Sequence, residues 1–159
     1  MRRTSRLTTL LAALLVLAAT AAAASASGGT TITRYPETGS TISCNGSLIA
    51  TVTGGYFQIV VQATQTPSGA DHIIMEANAQ GVQATTPTGT KYVIPGGFHI
   101  EVNVTPGATT SNYSAPLNVI GQGGAPNFTT RAVVHTTVNA NGDVTASVDH
   151  FTQTGNCAV

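Results

Sequence analysis

The sequence predicts an all-β fold: a single-domain antiparallel β-barrel or β-sandwich of about eight to nine short strands, with the first and last strands joined by a disulfide. After residue 26 the chain is dominated by threonine, valine, glycine, asparagine and serine. The β-branched residues among these favour pleated strands over helices. Several segments alternate apolar with polar residues, and proline-containing turns separate them at intervals of about ten residues.

The first segment of the chain predicts a secretory signal peptide. Three arginines in the first six residues precede an apolar run over 7–24 and a small-residue A-x-A site at 24–26. A retained membrane anchor is the alternative, because the run approaches the ~20 residues that span a bilayer. Alanine is only weakly apolar, which favours cleavage. We therefore expect a signal peptide over 1–26, a single domain over 27–159, and a secreted, extracellular protein of bacterial type without a stable membrane anchor.

Cleavage changes the charge and leaves two cysteines. Three of the six basic residues lie in the leader, so the 133 remaining residues carry a net charge of −3. Three scattered cations cannot form a basic patch, which excludes nucleic-acid binding. Cys44 and Cys157 predict one disulfide in an oxidising compartment. Such a bond would bring the first and last strands within ~6 Å between Cα atoms.

The strands follow one another along the chain. Alternation of apolar and polar residues predicts strands around 48–52, 57–63, 98–105 and 128–138. The segment 71–80 has two interpretations: a strand would place Ile73, Met75 and Ala77 inward, whereas a helix would place His72 and Glu76 on one face. The strand is favoured, because no capping residue followed by an apolar stripe is present.

A hairpin is predicted around Asn141 and Gly142. A two-residue turn there would pair Val138 with Thr145. A three-residue loop over 140–142 instead pairs Val138 with Val144 and continues the apolar face along both strands. Because a slip of one residue exchanges the faces of a strand, we expect the three-residue loop.

The predicted register decides which polar residues of the hairpin share a face. His135 would lie opposite Ser147, with Asp149 diagonal to it, while His150 would lie on the apolar face. Serine, histidine and aspartate are the groups of a nucleophilic triad. A serine on a flat strand, however, lacks the sharp turn and paired N–H groups of an oxyanion hole. We expect a solvated polar face.

His99 and Glu101 form the second candidate pair. They share one face of a predicted strand, about 7 Å apart along it. Zinc usually takes three or four protein ligands, and the sequence supplies no others reliably. We therefore predict no metal and no cofactor.

Sparse charges and turn-bound prolines leave the predicted edges unprotected, which favours a closed barrel over a two-edged sandwich. A closed barrel could hold a small apolar ligand. Its cavity would be lined by residues from several strands: Phe57, Ile59, Phe98, Ile100 and Phe128.

Three functions remain open. The first is a non-enzymatic extracellular module that binds or structures something outside the cell. Its partner would be a neutral small molecule or a cell-surface component, because the polar, weakly charged surface gives little electrostatic steering. The second is a barrel that carries a small apolar ligand. The third is a small enzyme that uses His99 or His135 as a general base.

Overall fold

The computed structural model describes residues 29–44 and 47–156, which form nine strands and no helix. This confirms the all-β prediction. The strands are β1 (Gly29–Pro36), β2 (Thr41–Cys44), β3 (Ser47–Gln65), β4 (Asp71–Thr85), β5 (Lys91–Val93), β6 (Gly97–Thr105), β7 (Ala108–Gly121), β8 (Phe128–Asn139) and β9 (Val144–Gly155). Cys157 and the predicted signal peptide lie outside the described residues.

All nine strands belong to one antiparallel sheet, rather than to the two sheets of a sandwich. The strand order runs from β1 through β3, β4, β7 and β8 to β9, and β5 and β6 lie in line between β4 and β7. β2 pairs with the first part of β3, and β1 pairs with the second part. Within the described chain β1 and β9 do not pair with each other, so the pairing that would close a barrel is not observed.

Strand β4 occupies the middle of the sheet and defines its two faces. Ile73, Met75 and Ala77 are buried, as the strand interpretation of this segment predicts. We call their face the inner face. The opposite face carries His72 and Glu76 and is called the outer face. The alternation of burial along β4 shows that the inner face supplies the protein's apolar interior.

The buried residues concentrate at the end of the sheet that contains β2 and β5. Tyr92 and Phe128 pack edge to face there, with ring centroids 6.5 Å apart. Such aromatic pairs add to the stability that their buried area gives. Their neighbours come from β2, β3, β4, β7 and the residue after β5, and are small or aliphatic: Cys44, Ile49, Ala50, Val52, Val82, Ala84, Ile94 and Val119.

Paired irregularities in β3 and β4 separate this core from the rest of the inner face. The register between the two strands shifts on both sides of Gly54, and Gly55 and Gly81 both have positive φ. A Cβ on Gly55 would lie 2.5 Å from backbone atoms of Gly81 and Val82. Bulges bend and twist a sheet, so these glycines let the two long strands turn together.

The two ends of the strand order approach each other on one side. The Gln153 side chain on β9 donates a long hydrogen bond of 3.5 Å to the backbone carbonyl of Ser43 on β2. The sheet therefore curls until β9 reaches β2, while β1 and β9 stay unpaired with each other.

Candidate functional site

The hairpin of β8 and β9 begins as predicted and then departs from the predicted register. Val138 pairs with Val144 across the loop, and Gly142 takes the left-handed conformation. Thr145 is then an extra residue in β9, because Thr137 pairs with Ala146. This bulge exchanges the faces of the rest of β9.

The predicted register, which set His135, Ser147 and Asp149 on one face, is therefore wrong. His135 lies opposite Val148, whereas Ser147 pairs with Thr136 and Asp149 with Val134 on the inner face. Since residues that face each other in a ladder share one side of the sheet, the histidine and the two other groups lie on opposite sides. The prediction that His150 lies on the apolar face is also wrong. His150 pairs with Val133 on the outer face, the face that carries His135.

All four histidines of the chain share the outer face. His72 Nδ1 donates a 2.6 Å hydrogen bond to Asn103 Oδ1, and the amide nitrogen of Asn103 donates to Glu101 at 3.3 Å. His72 Nδ1 lies 3.8 Å from the Glu101 carboxylate. Glu101 shares the outer face of β6 with His99, as the sequence predicts, and lies diagonally across the β4–β6 ladder from His72.

His99 has a different carboxylate neighbour. Its Nδ1 lies 3.7 Å from Glu76 across the β4–β6 ladder, and Ser114 is its opposite residue on β7. These residues line a shallow depression of about 470 Å³ together with Asn78, Gly96, Gly97, Pro116 and Asn118. Only the order of strands in the sheet shows that these residues lie together, because they come from segments that are far apart in the sequence. Among the described residues, no hydrogen bond joins Ser114 to His99.

His135 is held by neutral partners. Asn112 lies 2.6 Å from its Nδ1, and Thr137 lies 3.3 Å from its Nε2. Both ring nitrogens are thus engaged by an amide and a hydroxyl. This arrangement stabilises a polar sheet surface.

Among the residues that the structure describes, no three histidine, cysteine, aspartate or glutamate side chains are grouped to hold a metal ion. The same part of the chain contains no helix long and apolar enough to cross a membrane.

The residues predicted to line a cavity divide into two groups. Phe128 belongs to the core beside Tyr92, whereas Phe57, Ile59, Phe98 and Ile100 lie on the inner face around β4. There the Phe98 ring contacts the rings of Phe57 at 5.7 Å and of Tyr113 at 6.1 Å between centroids. Burial against this cluster raises the pKa of the Tyr113 phenol above its usual value of 10.0.

The two outermost strands of the sheet, β1 and β9, form the most accessible apolar feature. β1 is exposed along its whole length, and β9 is exposed at all but two positions. Large apolar side chains on these strands remain 56% to 62% exposed: Ile32, Tyr35, Val144, Val148 and Phe151. Each strand also has a backbone edge that pairs with no other described strand. We call these the β1 edge and the β9 edge.

Comparison with protein-family models, with curated proteins and with solved structures gives no match to the chain.

Proposed function

We propose that the protein is a secreted, non-enzymatic extracellular module that binds an extended polypeptide by β-strand addition at its open edges. The observation that carries the proposal is the β9 edge. Strand β9 forms its ladder with β8 on one edge, pairs on the other edge with no strand that the structure describes, and leaves Val144, Val148 and Phe151 exposed. In strand addition, backbone hydrogen bonds supply affinity and alternate side chains supply specificity.

The composition of β9 supports this proposal. Natural proteins protect exposed edges with lysine, proline or inward-pointing charges, because an unprotected edge pairs with other chains. β9 contains neither lysine nor proline, and its protective features are the one inward charge of Asp149 and the bulge at Thr145. An edge that is long, apolar and almost uncharged is therefore suited to a partner strand.

Two features of the chain support an extracellular location for this activity. The leader over 1–26 has the pattern of a cleaved bacterial signal peptide. The domain is then 27–159, with a disulfide between Cys44 and Cys157. Two observations support that disulfide. Cys44 is buried, and the contact of Gln153 with Ser43 brings the end of β9 beside β2. Intact mass after alkylation, with and without reduction, tests both: we expect a chain that starts near Ser27 and two blocked thiols.

A substitution that introduces a charge on the β9 edge tests strand addition. The probe is a capped seven-residue peptide in the order threonine, valine, threonine, lysine, threonine, valine, threonine, immobilised for biolayer interferometry. We expect Val148→Lys to weaken binding of this peptide about tenfold or more, because lysine disfavours pairing at an edge. The stability of the variant should change by less than about 0.5 kcal/mol, since the replaced side chain is exposed.

The matched control is Gln62→Lys. Gln62 is an exposed residue of β3, which is paired on both sides at that position. This variant adds the same charge away from any edge and should bind the peptide like the wild type. Equal binding by the wild type and Val148→Lys would contradict the proposal, as would no binding by the wild type.

A further inference from the structure

The depression around His99 on the outer face is lined at its base by two glycines. Gly96 and Gly97 lie there, at the beginning of β6. A Cβ on Gly97 would overlap the backbone carbonyl oxygen of Ala77, and a Cβ on Gly96 would lie 2.6 Å from the carbonyl oxygen of Pro116. Neither position accepts a side chain without movement of the backbone. The surface therefore stays low between β4 and β7, and the depression is a consequence of how these strands pack.

One side of the depression presents hydrogen-bond acceptors. The Glu76 carboxylate lies 3.7 Å from His99 Nδ1, which is too long for a hydrogen bond, and 61% of the Glu76 side chain is exposed. The Ser114 hydroxyl lies across the β6–β7 ladder from His99 and forms no hydrogen bond within the described chain. A carboxylate only accepts hydrogen bonds, whereas a hydroxyl both accepts and donates. This side of the depression therefore accepts several hydrogen bonds from a bound molecule.

Two asparagines add donors. The Thr129 hydroxyl donates to Asn118 Oδ1 at 2.9 Å, which leaves the NH₂ group of Asn118 as a donor. The side-chain amide of Asn78 has no hydrogen-bond partner among the residues that the structure describes, so it offers a donor and an acceptor. Pro116 lies between Ser114 and Asn118 along β7 and gives the same depression an apolar surface.

This mixture of groups determines the class of ligand. Donors alone would suit an anion, and acceptors alone would suit a cation. Hydroxyl groups both donate and accept, so the mixed lining complements a molecule that carries several of them. The two oxygens of the Glu76 carboxylate accept from adjacent hydroxyls, and the C–H groups of the same molecule pack against Pro116. The volume of about 470 Å³ falls within the roughly 300–1,000 Å³ of small-molecule sites.

We propose that this depression binds a neutral, hydroxyl-rich ligand with the chemistry of a sugar. Glu76 and Ser114 bind hydroxyls on one side, and Asn78 and Asn118 bind those on the other. Binding is weak, because the depression is shallow and leaves much of the ligand in water. The site lies on the outer face of β4, β6 and β7 and uses no residue of β1 or β9. It is therefore independent of strand addition.

Two-dimensional amide NMR tests the site. The protein is titrated in turn with glucose, galactose, mannose and N-acetylglucosamine. We expect at least one of these sugars to shift the signals of Gly96, Gly97, Ser114 and Asn118, while the signals of β1 and β9 stay in place. Glu76→Gln should weaken that binding about tenfold, because a charged acceptor forms stronger hydrogen bonds than a neutral amide.

The matched control is Glu101→Gln. Glu101 is a carboxylate on the same face, but it lies beside His72 and outside the depression. This variant removes the same charge and should bind the sugar like the wild type. Equal weakening by the two variants would overturn the proposal, as would the absence of a response to all four sugars. An equal response of the same signals to ethylammonium would also overturn it, because the site would then select a cation. The peptide measurements test strand addition separately.

Discussion

Gly55→Ala is expected to destabilise the domain by about 3 kcal/mol or more. An alanine at positive φ costs roughly 1–2 kcal/mol, and Gly55 has φ +92°. Its new methyl group would also lie 2.5 Å from backbone atoms of Gly81 and Val82, and overpacking against fixed groups costs roughly 1–3 kcal/mol more. Urea unfolding followed by circular dichroism would show a lower midpoint with an unchanged slope.

Gly81→Ala is the matched control for this effect. Gly81 lies in the same irregular part of the sheet and also has positive φ, but a Cβ there would meet nothing within 4 Å. It should cost only the conformational part, about 1–2 kcal/mol. Equal destabilisation by the two variants would show that the close approach of β3 to β4 does not hold in solution.

Loss of the proposed disulfide is the second large effect. We expect the double variant Cys44→Ala and Cys157→Ala to unfold with roughly 4–5 kcal/mol less free energy than the wild type, because a bond across so long a loop restricts the unfolded chain. Thermal unfolding with and without reductant measures this. Reductant should destabilise the wild type and leave the double variant unchanged. A wild type that is indifferent to reductant, with two thiols open to alkylation, would contradict the disulfide.

The sequence predicts the local features of the fold well, because they depend on a period of two. Burial of Ile73, Met75 and Ala77 follows from alternation within one segment, and the loop before Val144 follows from a glycine that favours the left-handed conformation. Each of these features is decided by neighbours in the chain.

The features that sequence reasoning missed are not local. The bulge at Thr145 turns Val148 to the outer face of β9 and Phe151 to the inner face. Apolar side chains then lie on both faces, so the alternation of apolar and polar residues could not reveal the bulge. The neighbours of His99 and Glu101 depend on which strands lie side by side. Which strands have an unpaired edge depends on the order of all strands in the sheet, and no single segment of the sequence determines that order.

The outer face gives the least support to catalysis. His135 is engaged by Asn112 and Thr137, and His72 by Asn103. His99 is near Glu76 but forms no hydrogen bond with Ser114 among the contacts of the described chain. The Thr137 hydroxyl lies 3.3 Å from His135 Nε2, but a threonine on a flat strand lacks the paired N–H groups that would stabilise an oxyanion. Our proposal therefore rests on the open edges rather than on the histidines.

Amide hydrogen exchange of the isolated protein, resolved by residue with NMR, tests the open edges most directly. In a strand paired on one side, alternate amides are hydrogen-bonded and the others face solvent. We predict this alternation of slow and fast exchange along β1 and β9, with protection at every paired residue of β4, and slow exchange of the fast set once the probe peptide binds. Uniform protection along β1 and β9 in the free protein would contradict the account, because it would mean that both edges are already paired.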